Sequence, residues 1–284
     1  MPCRTDLALE CREPQRQIPG IECREENHGD YSLTRLRVLD ETGARALGKP
    51  PGTYVTIELP PIGDYPDLYG DGMECAAREL RAMLPAQGTV LVVGLGNDSM
   101  TPDALGPRCC EQVLATRHIS GELAESAGLG ALRPVTCLTP GVLGRTGMES
   151  GELILAAVRA ISPAAVLTVD ALAARKLARL GCTIQITDSG VVPGSGVGNA
   201  RLEISRKTLG VPVAALGVPT VVDAATLVCD LTGEAAAWKE GEAMMVTPRE
   251  VDLLIERAAK LCAMAINRAL QPHLSVEDLL SLAA

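Results

Sequence analysis

The run Thr89–Val93, reading TVLVV, limits what this chain can fold into more than any other segment. An unbroken apolar and β-branched run with no polar alternation suits a strand covered on both faces. A glycine turn follows, Gly94-Leu95-Gly96-Asn97, then a polar loop. Asp103 comes next, where a helix is expected over Asp103–Thr116. The same order recurs at Ala165–Val169, a short apolar strand running into Asp170 and an expected helix over Ala171–Leu180. Both aspartates open the same tripeptide, Asp-Ala-Leu. Val135–Leu138 ahead of a helix at Glu152–Ile161, and Thr183–Thr187 ahead of a glycine-rich loop, continue the rhythm. Alternation of this kind predicts an α/β fold: a mostly parallel twisted sheet with helices on both faces. Right-handed crossovers then line the carboxyl ends of the strands along one edge.

Either side of this region the patterns are simpler. Residues 1–30 are polar and broken by Pro14, Pro19 and Gly20, and read as an exposed, loosely tethered arm. Ser32–Leu39 and Tyr54–Leu59 alternate as strands. Glu74–Leu84 is helical and Pro85 ends it. Val221–Leu231 is a further helical candidate. Thr247-Pro248-Arg249-Glu250 has the form of a capping box opening a helix to about Leu270, and Ser275–Asp278 that of a weaker start for a short last helix. The simplest division is an arm, 1–30, and one α/β domain, 31–284.

A chain of 284 residues can bury a sizeable core. With no Phe and one Trp, that core must be built from aliphatic residues and Met. The net charge of −9 argues against a nucleic-acid partner. The ten cysteines form no C-x-x-C pair and mostly lie in apolar runs, so they are expected to be reduced, buried small hydrophobes. The first ten residues have no apolar stretch of the signal-peptide kind, and no run is long enough to cross a membrane. A cytoplasmic protein is expected.

The chemistry rests on Asp103 and Asp170. Sites in open parallel sheets form beyond the carboxyl ends of the strands. If the two strands are neighbours, both carboxylates face one cleft and share a proton, one acting as base on a water while the other donates. Helix capping is the common alternative for either residue alone. Gly94-Leu95-Gly96 does not complete a dinucleotide fingerprint, because Ser99 occupies the position of the third glycine. Its glycines then serve close backbone approach. A second glycine loop, with Gly190, Gly194, Gly196 and Gly198, can present N–H groups to an oxyanion or a peptide. It lacks the lysine of a P-loop. Asn97 and these glycines are the expected substrate contacts. His28, His118 and His273 adjoin no glycine loop, and no metal or cofactor is expected.

GLGNDSMTPDALGP, TPGVLGRTG, VDALAAR, TDSGVVPGSGVGNAR and PTVVDAATL together resemble the germination protease family. The resemblance implies an atypical aspartic-type endopeptidase with a fold similar to hydrogenase-maturation proteases. It further implies a homotetramer in the spore core that degrades small acid-soluble spore proteins. The family aspartates match Asp103 and Asp170, the pair already singled out. The family is made as a zymogen that removes its own propeptide after an acidic residue followed by an apolar one and Ala. Thr5-Asp6-Leu7-Ala8 fits that context, so cleavage is expected between Asp6 and Leu7, releasing residues 1–6. Two other readings remain: a metal-dependent maturation peptidase of the related fold, and a nucleotide-binding regulator without catalysis.

Overall fold

A computed structural model of the chain describes residues 5–11, 18–193, 202–233 and 244–282. The strands are β1 (Ile21–Asn27), β2 (Ser32–Val38), β3 (Gly52–Glu58), β4 (Val90–Gly94), β5 (Val135–Leu138), β6 (Ala165–Ala174), β7 (Thr183–Thr187), β8 (Val213–Asp223) and β9 (Met245–Val246). The helices are α1 (Glu41–Leu47), α2 (Asp71–Met83), α3 (Leu105–Cys110), α4 (Gly121–Ser126), α5 (Leu143–Thr146), α6 (Ser150–Ile161), α7 (Arg206–Leu209), α8 (Ala224–Thr232), α9 (Val251–Leu270) and α10 (Val276–Leu282).

The nine strands among the described residues join one sheet in the order β1-β2-β3-β7-β8-β6-β4-β5, with β9 paired to β8. The strands β8, β6, β4 and β5 run parallel, which is the α/β half expected from the sequence. The strands β1, β2, β3 and β7 extend the sheet through antiparallel pairs. Helices cover both faces. Alternate residues of β4 part company: Val90 and Val92 pack in one cluster with α2, α3 and α9, while Leu91 and Val93 join Ile154 and Val158 of α6 in another. This two-sided burial is why the strand reads as a continuous apolar run.

Three expectations fail in instructive ways. Asp170 does not open a helix, because β6 continues through it to Ala174. Ala171–Ala174 have helical propensity, but β8 offers Val218, Pro219, Val221 and Val222 as ladder partners, and pairing overrides propensity. The helix after Asp103 is cut to a 3-10 turn, Thr101–Asp103, and the short α3. Thr247 does not cap α9: its hydroxyl donates to the Thr220 carbonyl at 2.9 Å, and Glu250 takes the cap position without a side-chain bond. Ser275 and Asp278, by contrast, do exchange reciprocal bonds ahead of α10.

The described part of the N-terminal stretch is not loosely tethered. Residues Ile21–Asn27 are an edge strand paired with β2 along its whole length. Leu7 and Ala8 are fully buried. Leu7 packs with Leu172, Ala174 and Val222, and Ala8 with Leu36, Val38, Leu47 and Tyr54. The segment thus crosses the sheet face where the parallel and antiparallel halves meet. Its apolar pair supplies the adhesion: burying a leucine side chain contributes about 1.5–3 kcal/mol, and the alanine methyl about 0.8 kcal/mol.

Candidate active site

Asp103 hangs from a loop built by close backbone contact. Gly96 has φ +115°, and a Cβ there would lie 2.0 Å from the Asp103 carbonyl oxygen. A Cβ on Gly106 would lie 2.2 Å from the Leu95 oxygen and 2.5 Å from that of Val169, so α3 docks directly on the strand ends. This is the close-approach role expected for the glycines after β4. The Asn97 N–H donates to Asp103 Oδ2 at 2.8 Å and to the Asp103 carbonyl at 3.1 Å. Thr220 of β8 donates its hydroxyl to the Pro102 carbonyl at 2.7 Å and pins the turn from below. Asn97, expected to meet substrate, instead steadies Asp103 through its main chain, and its side-chain oxygen accepts the Ser99 N–H at 3.1 Å.

Asp170 lies one residue past the end of the β4 ladder, whose last pair is Gly94 with Val169. On its other side Asp170 pairs with Gly217 of β8. A Cβ on Gly217 would lie 2.7 Å from the Asp170 oxygen and 2.6 Å from Leu172 Cγ, so only glycine leaves room there. Burial pushes the Asp170 pKa well above the usual carboxylate range, and the charges of Asp103 and Asp6 push it the same way. The Ala171 N–H opposes them.

Both aspartates line one cleft of about 690 Å³. The sequence-level condition, neighbouring strands, is met, since β4 and β6 are adjacent and parallel. Gly190 lines the same cleft with φ +87°, its loop closed by paired bonds between Val191 and Ile204. Gly194, Gly196 and Gly198 lie outside the described residues. The loop holding Gly141 and Val142 forms another wall, and Arg145 beyond it pairs with Asp98 and donates to the Ser99 hydroxyl at 3.1 Å.

Asp6 lines this cleft too. Past the end of β4, the edge of β6 is open, and the N-terminal segment docks there. The Asp6 N–H donates to the Ala173 carbonyl at 2.9 Å, and the Ala173 N–H donates to Asp6 Oδ2 at 2.9 Å. Further on, the main-chain N–H groups of Arg175 and Lys176 donate to the two carboxylate oxygens of the buried Glu10, at 2.6 and 2.9 Å. The Thr5 hydroxyl also donates to Glu10. Gln185 of β7 reaches across the Asp6–Leu7 bond: its Nε2 donates to the Asp6 carbonyl at 3.0 Å, and its Oε1 accepts the Ala8 N–H at 2.7 Å. Lys49 Nζ donates to the Asp6 carbonyl at 3.1 Å and to the Thr5 carbonyl at 3.3 Å. Sequence reading missed Lys49 and Gln185. Neither stands in a motif, and both lie in the antiparallel half, away from the strand–aspartate pattern.

The histidines sit elsewhere. His28 stacks on Tyr31 with ring centroids 4.8 Å apart, and His273 contacts the Leu129 carbonyl at 2.9 Å. Among the described residues no three His, Cys, Asp or Glu side chains are grouped to hold a metal ion. No described helix is long and apolar enough to cross a membrane. The nine described cysteines are free thiols, and burial pushes the Cys109 and Cys262 thiols up.

Several known proteins are similar to this chain in sequence. A germination protease from Caldanaerobacter subterraneus is 43% identical over 316 aligned positions, covering 97% of this chain and 96% of its own. One from Clostridium tetani is 40% identical, covering 98% of both chains. One from Priestia megaterium is 42% identical, covering 80% of this chain and 65% of its own. A solved nickel–iron hydrogenase maturation protease from Thermococcus kodakarensis gives a TM-score of 0.38 at 18% identity, over 66% of this chain and 98% of that one, a likeness too partial to bear on function. The family model for germination protease, a peptidase family, matches residues 4–233, and the chain belongs to that family.

Proposed function

We propose that this germination endopeptidase hydrolyses peptide bonds with Asp103 and Asp170 as a proton-sharing pair. The observation that carries the reading is their shared cleft, together with the raised pKa of Asp170. A carboxyl whose pKa is raised holds its proton more tightly and can act as a proton donor. Asp103, steadied by the Asn97 N–H, is the base that draws a proton from water. Asp170 supplies the proton the products need.

The same reading makes the chain a zymogen that cuts itself between Asp6 and Leu7. Support comes from the position of that bond: Asp6 lines the cleft of both aspartates and bonds to Ala173 on the β6 edge, before the chain turns into a 3-10 helix at Ala8–Cys11. While the segment lies there it occupies the edge a substrate would use, which gives even a propeptide of residues 1–6 a direct means of inhibition. From the family we take small acid-soluble spore proteins as the substrates, the spore core as the location and a homotetramer as the assembly. Light scattering tests the last: a monomer mass at micromolar concentration would contradict it.

The central test compares wild type with Asp103→Asn on a purified small acid-soluble spore protein, and on the chain's own N-terminus by intact mass. Cleavage of both by wild type and of neither by Asp103→Asn is expected. Equal rates for the two proteins would remove Asp103 from the mechanism.

A further inference from the structure

We infer that Lys49 and Gln185 are further catalytic residues, a two-donor clamp on the carbonyl of the bond to be cut; this rests on the peptidase reading above. The carbonyl of Asp6 receives Lys49 Nζ at 3.1 Å and Gln185 Nε2 at 3.0 Å. Both donors come from side chains, and one carries a full positive charge. A carbonyl in an ordinary ladder takes one main-chain N–H. Two side-chain donors converging on one peptide oxygen beside two carboxyl groups is the arrangement hydrolysis needs, because that oxygen must bear negative charge in the transition state.

The framework holds both donors firmly. Lys49 follows Gly48, whose left-handed φ of +70° ends α1 and whose N–H bonds back to the Ala44 carbonyl at 2.8 Å. Pro50 and Pro51 come next, restricting Lys49 to extended backbone. The Tyr54 hydroxyl donates to the Pro50 carbonyl at 2.8 Å and fastens the turn to β3. Gln185 is buried in the middle of β7, between Thr56 of β3 and Gly217 of β8. Its amide meets the Asp6 carbonyl with one end and the Ala8 N–H with the other, so it fixes the peptide groups on both sides of Leu7.

The clamp decides where the protons go. Water adds to the Asp6 carbonyl carbon and loses a proton to Asp103. The carbonyl electron pair moves onto oxygen, where Lys49 and Gln185 donate. That oxygen already has its donors, so the Asp170 proton goes to the Leu7 nitrogen. The carbonyl re-forms, the C–N bond breaks, and Leu7 leaves as a neutral amine. A proton passing from Asp103 to Asp170 restores the pair.

The test uses the full chain. Wild type, Lys49→Met, Lys49→Arg and Gln185→Met are compared for Asp6–Leu7 cleavage by intact mass. The same substitutions in an Asp103→Asn chain are followed by hydrogen exchange of the peptide covering residues 5–11. Lys49→Met is expected to slow cleavage by about 10²–10³-fold, the effect of removing one oxyanion donor, while exchange rises less than about tenfold. Lys49→Arg is expected to recover most of the rate. Gln185→Met is expected to slow cleavage and to speed exchange at Ala8, whose N–H it leaves unpaired. A wild-type rate in Lys49→Met overturns the clamp. So does a slowing no larger than the gain in exchange, because the lysine would then hold the ground state alone. Failure of the carboxylate pair has another signature: Asp103→Asn cleaving as fast as wild type, with the Lys49 comparison still read from the rates. A wild-type chain that never cuts at Asp6–Leu7 overturns both.

Discussion

Asp103 and Asp170 begin the same three residues and live in opposite surroundings. One Asp-Ala-Leu sits in a 3-10 turn after a strand, the other inside a strand. The difference comes from neighbours rather than local sequence. The β4 ladder ends at Gly94, with one more bond from the Leu95 N–H to the Val169 carbonyl, and the chain folds back on itself around Gly96. Beyond Val169 the partner β8 continues, so the chain continues with it. Electrostatics follow the same division. Asp103 is held by a main-chain N–H at 2.8 Å. Asp170 is buried beside like charges, which favours its neutral form. One tripeptide thus meets two environments.

The largest effects should treat the two alike. Asp103→Asn and Asp170→Asn are each expected to lower peptidase kcat by about 10²–10⁴-fold or more, as for loss of a general acid or base. Loss in only one would break the pairing of roles. Next come the glycines that make room for each aspartate. Gly217→Ala forces a Cβ against the Asp170 oxygen, and Gly96→Ala adds a positive φ to its clash with the Asp103 oxygen. Each is expected to cost about 1–3 kcal/mol by urea unfolding, with Gly96→Ala the worse. An unchanged midpoint in either would mean that the backbone yields freely there.

Smaller effects should separate the two. The folded-state pKa of Asp170 is raised, so the folded chain holds its proton more tightly than the unfolded chain. That stabilisation is complete below the unfolded carboxyl value, about 3.9, and is lost as pH rises through the raised value. Asp170→Asn removes the loss. It is expected to match wild type in acid and to exceed it by about 0.5–2 kcal/mol above the raised pKa, read as Tm against pH. Parallel curves across the range would contradict the burial account. Asp103→Asn keeps an oxygen to accept the Asn97 N–H, so its stability is expected to stay within about 1 kcal/mol of wild type at every pH.

Much of this was legible in the residues. TVLVV announced a doubly covered strand, and two strands ending near aspartates put both acids on one edge before any distance was known. Thr5-Asp6-Leu7-Ala8 stood out by its resemblance to the family's cleavage context, and the Asp6–Leu7 bond lies at the cleft that Asp6 lines. Local sequence could not say that β6 runs on past Asp170, because the ladder partners that hold it extended lie at Val218–Val222. Nor could it find Lys49 and Gln185, which reach the bond from α1's far end and from β7 only after the antiparallel half has closed. The polar composition of residues 1–30 hid two buried apolar residues, Leu7 and Ala8, too few to alter an average.

The overhang of β6 past β4 carries one more consequence. The open edge that receives Asp6 at Ala173 and Glu10 at Arg175 and Lys176 is continuous with the strand bearing Asp170. Arg175 and Lys176 lie just past Ala174, where β6 ends, and their consecutive N–H groups converge on one carboxylate, so the edge there grips an acidic side chain rather than pairing with a backbone. The docked segment answers in kind, turning into a 3-10 helix at Ala8–Cys11, so its hold on the edge rests on the Asp6 main chain and on two carboxylates.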